Sequence, residues 1–136
     1  MIQETIDRLK LGSFALVGGS AEIDQDIALP SLPAAFVVLG GEQASDSTSA
    51  NAVQQLITAQ IVILYAVRNA RDADGVESIK DLKPLRAEVK NKVVAWQPTP
   101  ECDPIIFRSG QLLKLDDAGV LWWVDTFETS FIERHL

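Results

Sequence analysis

Residues 53–67 read VQQLITAQIVILYAV, with Ile57, Ile61, Ile63, Tyr65 and Val67 at a period of two and Gln54, Thr58 and Gln60 between them. Successive side chains of a strand point to opposite faces, so this alternation describes a strand with one buried face. Val62, Leu64 and Ala66 turn the second face apolar toward the end of the run. The strand is therefore expected to be central in a sheet, with its C-terminal half covered on both sides. A helix is the rival reading for residues 50–60, where NAVQQLITA holds good helix formers.

The flanking segments supply partners for such a strand. Ile2, Ile6 and Leu9 recur at helical spacing, which predicts a short amphipathic helix over residues 2–10 with Gly12 as its stop signal. The segment 14–17 fits either a buried turn or the start of a strand, and Gly18, Gly19 and Ser20 break it. Residues 24–32 read as extended or turning. Between Pro33 and Gly40-Gly41 lies AAFVVL, an apolar run of strand formers that predicts a buried strand. Residues 42–51 hold no large apolar side chain and read as a long flexible loop. Residues 69–75 form a turn-rich break. Ile79, Leu82, Leu85, Val89 and Val93 then step by three or four, predicting an amphipathic helix of about four turns. Pro84 suits only a first turn, so the helix is expected to begin near residue 82, with Asp81 as cap, or to kink there. Residues 105–115 and 120–127 read as a hairpin joined by Asp116-Asp117-Ala118-Gly119. Residues 130–136 fit a final strand or a helical turn. The expected fold is one α+β domain spanning residues 1–136: a mainly antiparallel sheet of four to five strands, flanking helices, and a single helical layer packed on it.

Charge narrows the partners. The net charge is -7, and the basic residues are scattered among acids. Such a chain gains nothing from counterion release on DNA or from an anionic membrane, so neither sequence-specific nucleic acid nor membrane is an expected partner. No apolar run approaches the roughly 18 residues of a membrane span. MIQETIDRLK carries both charge signs, unlike a signal peptide, and a lone Cys102 forms no intramolecular disulfide. Synthesis and folding in a cytosol are expected.

Each candidate for chemistry has a plainer explanation. Asp72-Ala73-Asp74-Gly75 opens like a calcium loop, but its glycine comes too early and no closing glutamate follows, so a solvated turn is expected. Asp24 and Asp26 suit a loop. Leu16-Val17-Gly18-Gly19-Ser20 lacks the dinucleotide fingerprint and the P-loop lysine. Arg108-Ser109-Gly110 lacks the leading glycine of a nucleophile elbow. Cys102 has no neighbouring base, and the single histidine is His135. No catalytic residue, cofactor or metal is expected from this set.

Trp122-Trp123 is more informative, because adjacent strand residues cannot enter one core layer. Val120, Trp122 and Val124 make one face, and Leu121, Trp123, Asp125 and Phe127 the other. Two readings follow: a strand covered on both faces with one indole beneath a helix, or one indole left as an interface anchor. Trp96, beside Val93 and Val94, is expected to cap the core at a helix end.

The second half thus presents Val93-Val94-Ala95-Trp96-Gln97-Pro98, then Ile105-Ile106-Phe107-Arg108-Ser109-Gly110-Gln111, then Leu121-Trp122-Trp123-Val124-Asp125-Thr126-Phe127. Pro33-Ala34-Ala35-Phe36-Val37 and the polar loop into Gln54-Gln55 precede it. This order resembles the tail terminator (tail completion) proteins of long-tailed bacteriophages and their prophage relatives, from about residue 2 to 132. Where that pattern is expected to carry glycine before the tryptophan, this chain has Ala95. The resemblance implies a sheet flanked by helices and a non-enzymatic protein made in the bacterial cytoplasm and carried in the virion tail. It also implies a ring of copies, commonly six-fold, that caps the tail tube protein and offers a surface to the head–tail connector protein. A ring needs two different patches per subunit. The candidate interface residues are Glu42, Gln43, Ser45, Asp46, Ser47, Thr48 and Ser49 of the polar loop, expected to be mobile in the monomer, together with Trp122 and Trp123. Rival readings are a head–tail connector or minor tail component, a cellular protein-binding or regulatory domain, and a small enzyme.

Overall fold

A computed structural model describes residues 1–23, 31–69, 76–116 and 119–136. The alternating segment becomes β3, Val53–Arg68, sixteen residues long, and no part of it is helical. Strand β2, Ala34–Ala44, pairs with it on one side, and β5, Val120–His135, on the other, both antiparallel. The sheet has five strands in the order β1-β2-β3-β5-β4, with β1 Leu16–Gly18 parallel to β2 and β4 Ile106–Leu115 antiparallel to β5. The fold is α+β with a mainly antiparallel open sheet, as the patterning predicts.

The helices follow the amphipathic signals. α1, Ile2–Leu9, buries Ile6 and Leu9, and α3, Val76–Val93, buries Leu82, Val89 and Val93. Both seat on the face of the sheet that carries Ile61, Ile63, Tyr65 and Val67, forming the main core with Ile105, Leu121 and Phe127. At about 25 cal/mol per Å² of apolar surface removed from water, this layer supplies most of the driving force. The opposite face bears a smaller cluster of Ala34, Phe36, Ala66 and Val120, packed by Leu16, Leu32, Trp122 and by Ile23 of the four-residue α2, Ser20–Ile23. The C-terminal half of β3 is therefore apolar on both sides, while its N-terminal half is not.

Several expectations change. Gly40-Gly41 does not close the second strand: the ladder shifts register between Leu39 and Gly41, and β2 continues to Ala44. A bulge absorbs one extra residue without ending the pairing. Consequently Glu42 and Gln43 are strand residues opposite Ala59 and Thr58, not loop residues. α3 begins at Val76 and contains Pro84, with Asp81 inside the helix rather than capping it. Tertiary contacts override the proline there: Ser78 donates to Asn69 Oδ1 at 2.8 Å, and Leu82 is fully buried. Residues 130–135 extend β5, because Val53 through Thr58 offer them a strand to pair with. The break at 69–75, like the segment 24–32, falls largely outside the described residues.

Candidate functional site

The sequence-selected interface residues separate into two places. Ser45, Asp46, Ser47, Thr48 and Ser49 form the connection between β2 and β3, beside the Val53–His135 pair at one end of the sheet. Trp122 and Trp123 pair with Ala66 and Tyr65 toward the other end. At about 3.3 Å per strand residue, the twelve or so intervening residues put roughly 40 Å between them. They do not form one site.

The loop is more organised than its composition suggests. Leu56 N–H donates to Ser45 Oγ and Ser45 N–H to the Leu56 carbonyl, both at 2.9 Å. Gln54 N–H donates to Ser47 Oγ at 3.1 Å, Thr48 N–H to the Gln54 carbonyl at 3.1 Å, and Gln55 Nε2 to the Ser45 carbonyl at 2.9 Å. Serine hydroxyls thus continue the ladder past its last regular pair. Every side chain from Glu42 to Asn51 remains exposed. Beside the loop, on the sheet face away from α3, Leu56 stands directly opposite Ile132, and they are 44% and 63% exposed. This apolar pair was not singled out from sequence. Its signal was Leu56 on the polar face of an otherwise regular alternation.

The two indoles lie on opposite faces, as strand geometry requires, and each already has partners within the chain. Trp123 lies under α3, with the Arg86 guanidinium 4.5 Å from its ring centroid and its Nε1 donating to Asp125 Oδ1 at 2.9 Å. Trp122 stacks on Phe36 with centroids 6.0 Å apart and donates to Asp116 Oδ2 at 3.0 Å. Two more aromatics of the ordered motif carry cations: Arg8 sits 4.7 Å over Trp96, and Lys90 3.9 Å over Phe107. Such contacts contribute about 0.5–2 kcal/mol each. The residues that carry the resemblance therefore build the scaffold.

At the centre of that scaffold is Asp125, fully buried, which accepts from Arg86 Nε at 3.0 Å and Nη2 at 2.8 Å in a two-pronged pair. Gly110 of β4 lies opposite it. A Cβ there would fall 2.4 Å from Asp125 Oδ1 and 2.6 Å from Arg86 Nη2, which explains the glycine. Tyr65 is buried beside the pair with its hydroxyl lacking a well-formed hydrogen bond. Burial first, then the Asp125 charge, pushes the pKa of that hydroxyl upward. Arg86, the partner that makes this buried acid tenable, carries no sequence signal beyond its place on α3.

The other chemical candidates resolve as follows. Cys102 is buried, with the Thr99 hydroxyl 3.2 Å from its Sγ, while His135 is exposed and 3.6 Å from Glu133. Gly18 to Ser20 join β1 to α2, and Arg108-Ser109-Gly110 lie within β4. Asp24, Asp26 and the 72–75 segment lie outside the described residues. Among the described residues no cluster of three His, Cys, Asp or Glu could hold a metal, and no helix is long and apolar enough to cross a membrane.

Comparison with known proteins agrees with this architecture. A chain of the solved structure "Virion of native gene transfer agent (GTA) particle" superposes with a TM-score of 0.59 at 13% identity, covering 95% of this chain and 92% of that one. At that identity the likeness establishes the fold. No curated protein matches the chain. The family described as phage tail terminator protein matches residues 2–135, and the chain belongs to that family of structural virion proteins.

Proposed function

We propose that this protein ends a phage tail: copies assemble as a ring on the last layer of tail tube protein and present the surface to which the head–tail connector is joined. The family match over residues 2–135 carries this reading. The sheet end formed by the β2–β3 loop, Leu56 and Ile132 supports it, since exposed apolar side chains beside a polar rim are the composition of a contact surface. In this reading Ser45 to Ser49, with Glu42 and Gln43 behind them, touch a neighbouring copy or the tube, and Trp122 and Trp123 hold the strand that presents the opposite end. The protein is made in the host cytoplasm and leaves in the virion. The net charge of -7 suits a ring lumen that does not retain passing DNA.

Electron microscopy of the protein mixed with tail tubes tests the proposal. Density at one tube end, with lengths unchanged, is expected. Uniform decoration, or binding only to heads, would assign a minor tail or connector role instead. Shortening the loop by removing Ser45 to Ser49 should leave the circular dichroism intact and abolish capping; normal capping would remove the loop from the contact.

A further inference from the structure

The sheet has two open edges of matched kind. β4 is the last strand on one side and bonds only to β5; between Phe107 and Leu115, which pack against the core, its residues are exposed on both faces, with Leu112 40% and Leu113 51% accessible. At the other side β1 covers only Ala34, Ala35 and Phe36, so residues 37–44 of β2 have no strand on their outer side among the described residues. A long exposed edge with apolar side chains and no proline is a template for another strand. Natural edges are blunted by bulges, and here the bulges also define where pairing is left. In β4 the register shifts at Phe107/Ser109 and Leu112/Lys114, leaving residues 109–112 regular. In β2 it shifts at Leu39/Gly41, leaving residues 41–44 regular. Each edge thus keeps a straight stretch of four residues beyond a bulge, and in β2 residues 37–39 pair regularly as well.

We infer that the occupant of each edge is a second copy of this chain: the 109–112 stretch of one copy pairs with the 41–44 stretch of the next, one residue out of full overlap, so that Gln43 faces Ser109 or Gln111. Strand direction supports this. β2, β3, β5 and β4 alternate in direction, so the β4 of one copy runs opposite to the β2 of a neighbour related by rotation, and the joined sheet stays antiparallel across the seam. Charge supports it too. β4 carries Lys114 and Arg108, the latter already paired with Glu128 of β5, whereas the ionisable residues of 37–52 are Glu42 and Asp46, both acidic. Because the two edges differ, the contact is head-to-tail, which is the kind that closes a ring. Gln43 lies opposite Thr58, and Ser109 and Gln111 lie opposite Thr126 and Val124, so all three side chains share the face away from α3. Joining the edges therefore keeps one face continuous from copy to copy. The inference deepens the ring-forming reading and rests on it for the closed number of copies.

Cysteine cross-linking reads the seam directly. On a Cys102→Ala background, Gln43→Cys is combined with Ser109→Cys or with Gln111→Cys, and each protein is oxidised alone and in the presence of tail tubes. Neighbouring strand residues meet disulfide geometry only when paired, so one combination should give a ladder of multimers ending in a closed species, and single-cysteine controls should give at most dimers. Gln43, Ser109 and Gln111 are exposed edge positions, Cys102→Ala removes one buried sulfur, and unchanged circular dichroism verifies folding. Capped tails without any cross-linked ladder would overturn the edge contact and leave the terminator reading standing. A ladder without capped tails would keep the edge contact and overturn the terminator reading. No self-association under either condition would overturn both.

Discussion

Ala95 carries φ +68° at the point where α3 stops, with its N–H donating to the Ile105 carbonyl at 2.7 Å. A left-handed conformation costs an L-residue about 1–2 kcal/mol, and glycine avoids most of that at a smaller entropic cost. The side chain is exposed, so nothing is lost from the core. Ala95→Gly should therefore raise stability by about 1 kcal/mol, seen as a higher midpoint in thermal or urea denaturation. The glycine expected before the tryptophan in the family pattern thus has a backbone reason, and this chain bears the strain instead. Arg86 and Asp125 give a second prediction. Arg86→Met alone strands a fully buried carboxylate and should cost about 3 kcal/mol. Adding Asp125→Leu should recover a large part of that loss, since the orphaned charge goes with it. A double variant no more stable than Arg86→Met would show that the network matters through packing alone.

Elements are tied to one another by a few such contacts. Glu88 of α3 accepts from Ser13 N–H at 3.0 Å and from Ser13 Oγ at 2.7 Å, fastening the helix to the segment after α1. These hydrogen bonds, the backbone one foremost, hold its carboxyl below the ordinary glutamate value of 4.5. A lowered folded-state pKa contributes stability that is complete above the unfolded value and lost as pH falls through the folded one. Relative to Glu88→Gln, the wild-type advantage should be present at neutral pH and vanish on acidification below that value; an advantage unchanged in acid would rule the tie out. At the far end of the sheet, Leu56→Thr with Ile132→Thr should shift stability by no more than about 0.5 kcal/mol per site while weakening capping of tail tubes. The elements themselves were largely legible. Strict alternation marked β3, and three-four spacing marked α1 and most of α3. What misled were local breakers: Gly40-Gly41 and Pro84 signal an end by themselves, but pairing with β3 and the burial of Leu82 outweighed them. The interface candidates were harder to read, because an aromatic pair looks the same whether it faces a partner or a neighbouring arginine.

Across the whole molecule, the strand order could not be read from local patterns, since β5 inserts between β3 and β4 through pairings remote in sequence. That seam has a consequence in time. Its register runs unbroken from Arg68–Val120 to Val53–His135. β3, paired with β2 along one edge, therefore waits for its second partner through the synthesis of α3 and β4, and the seam is complete only once residue 135 has left the ribosome. Until then β3 presents an unsatisfied apolar ribbon, the hazard of sheets with distant pairing. A chain ended after Leu115 should accordingly stay protease-sensitive and aggregate, whereas the full chain resists digestion; a soluble, resistant fragment would refute this. The same delay means that a chain whose residues 120–135 have not yet paired has no complete sheet to offer a neighbouring copy.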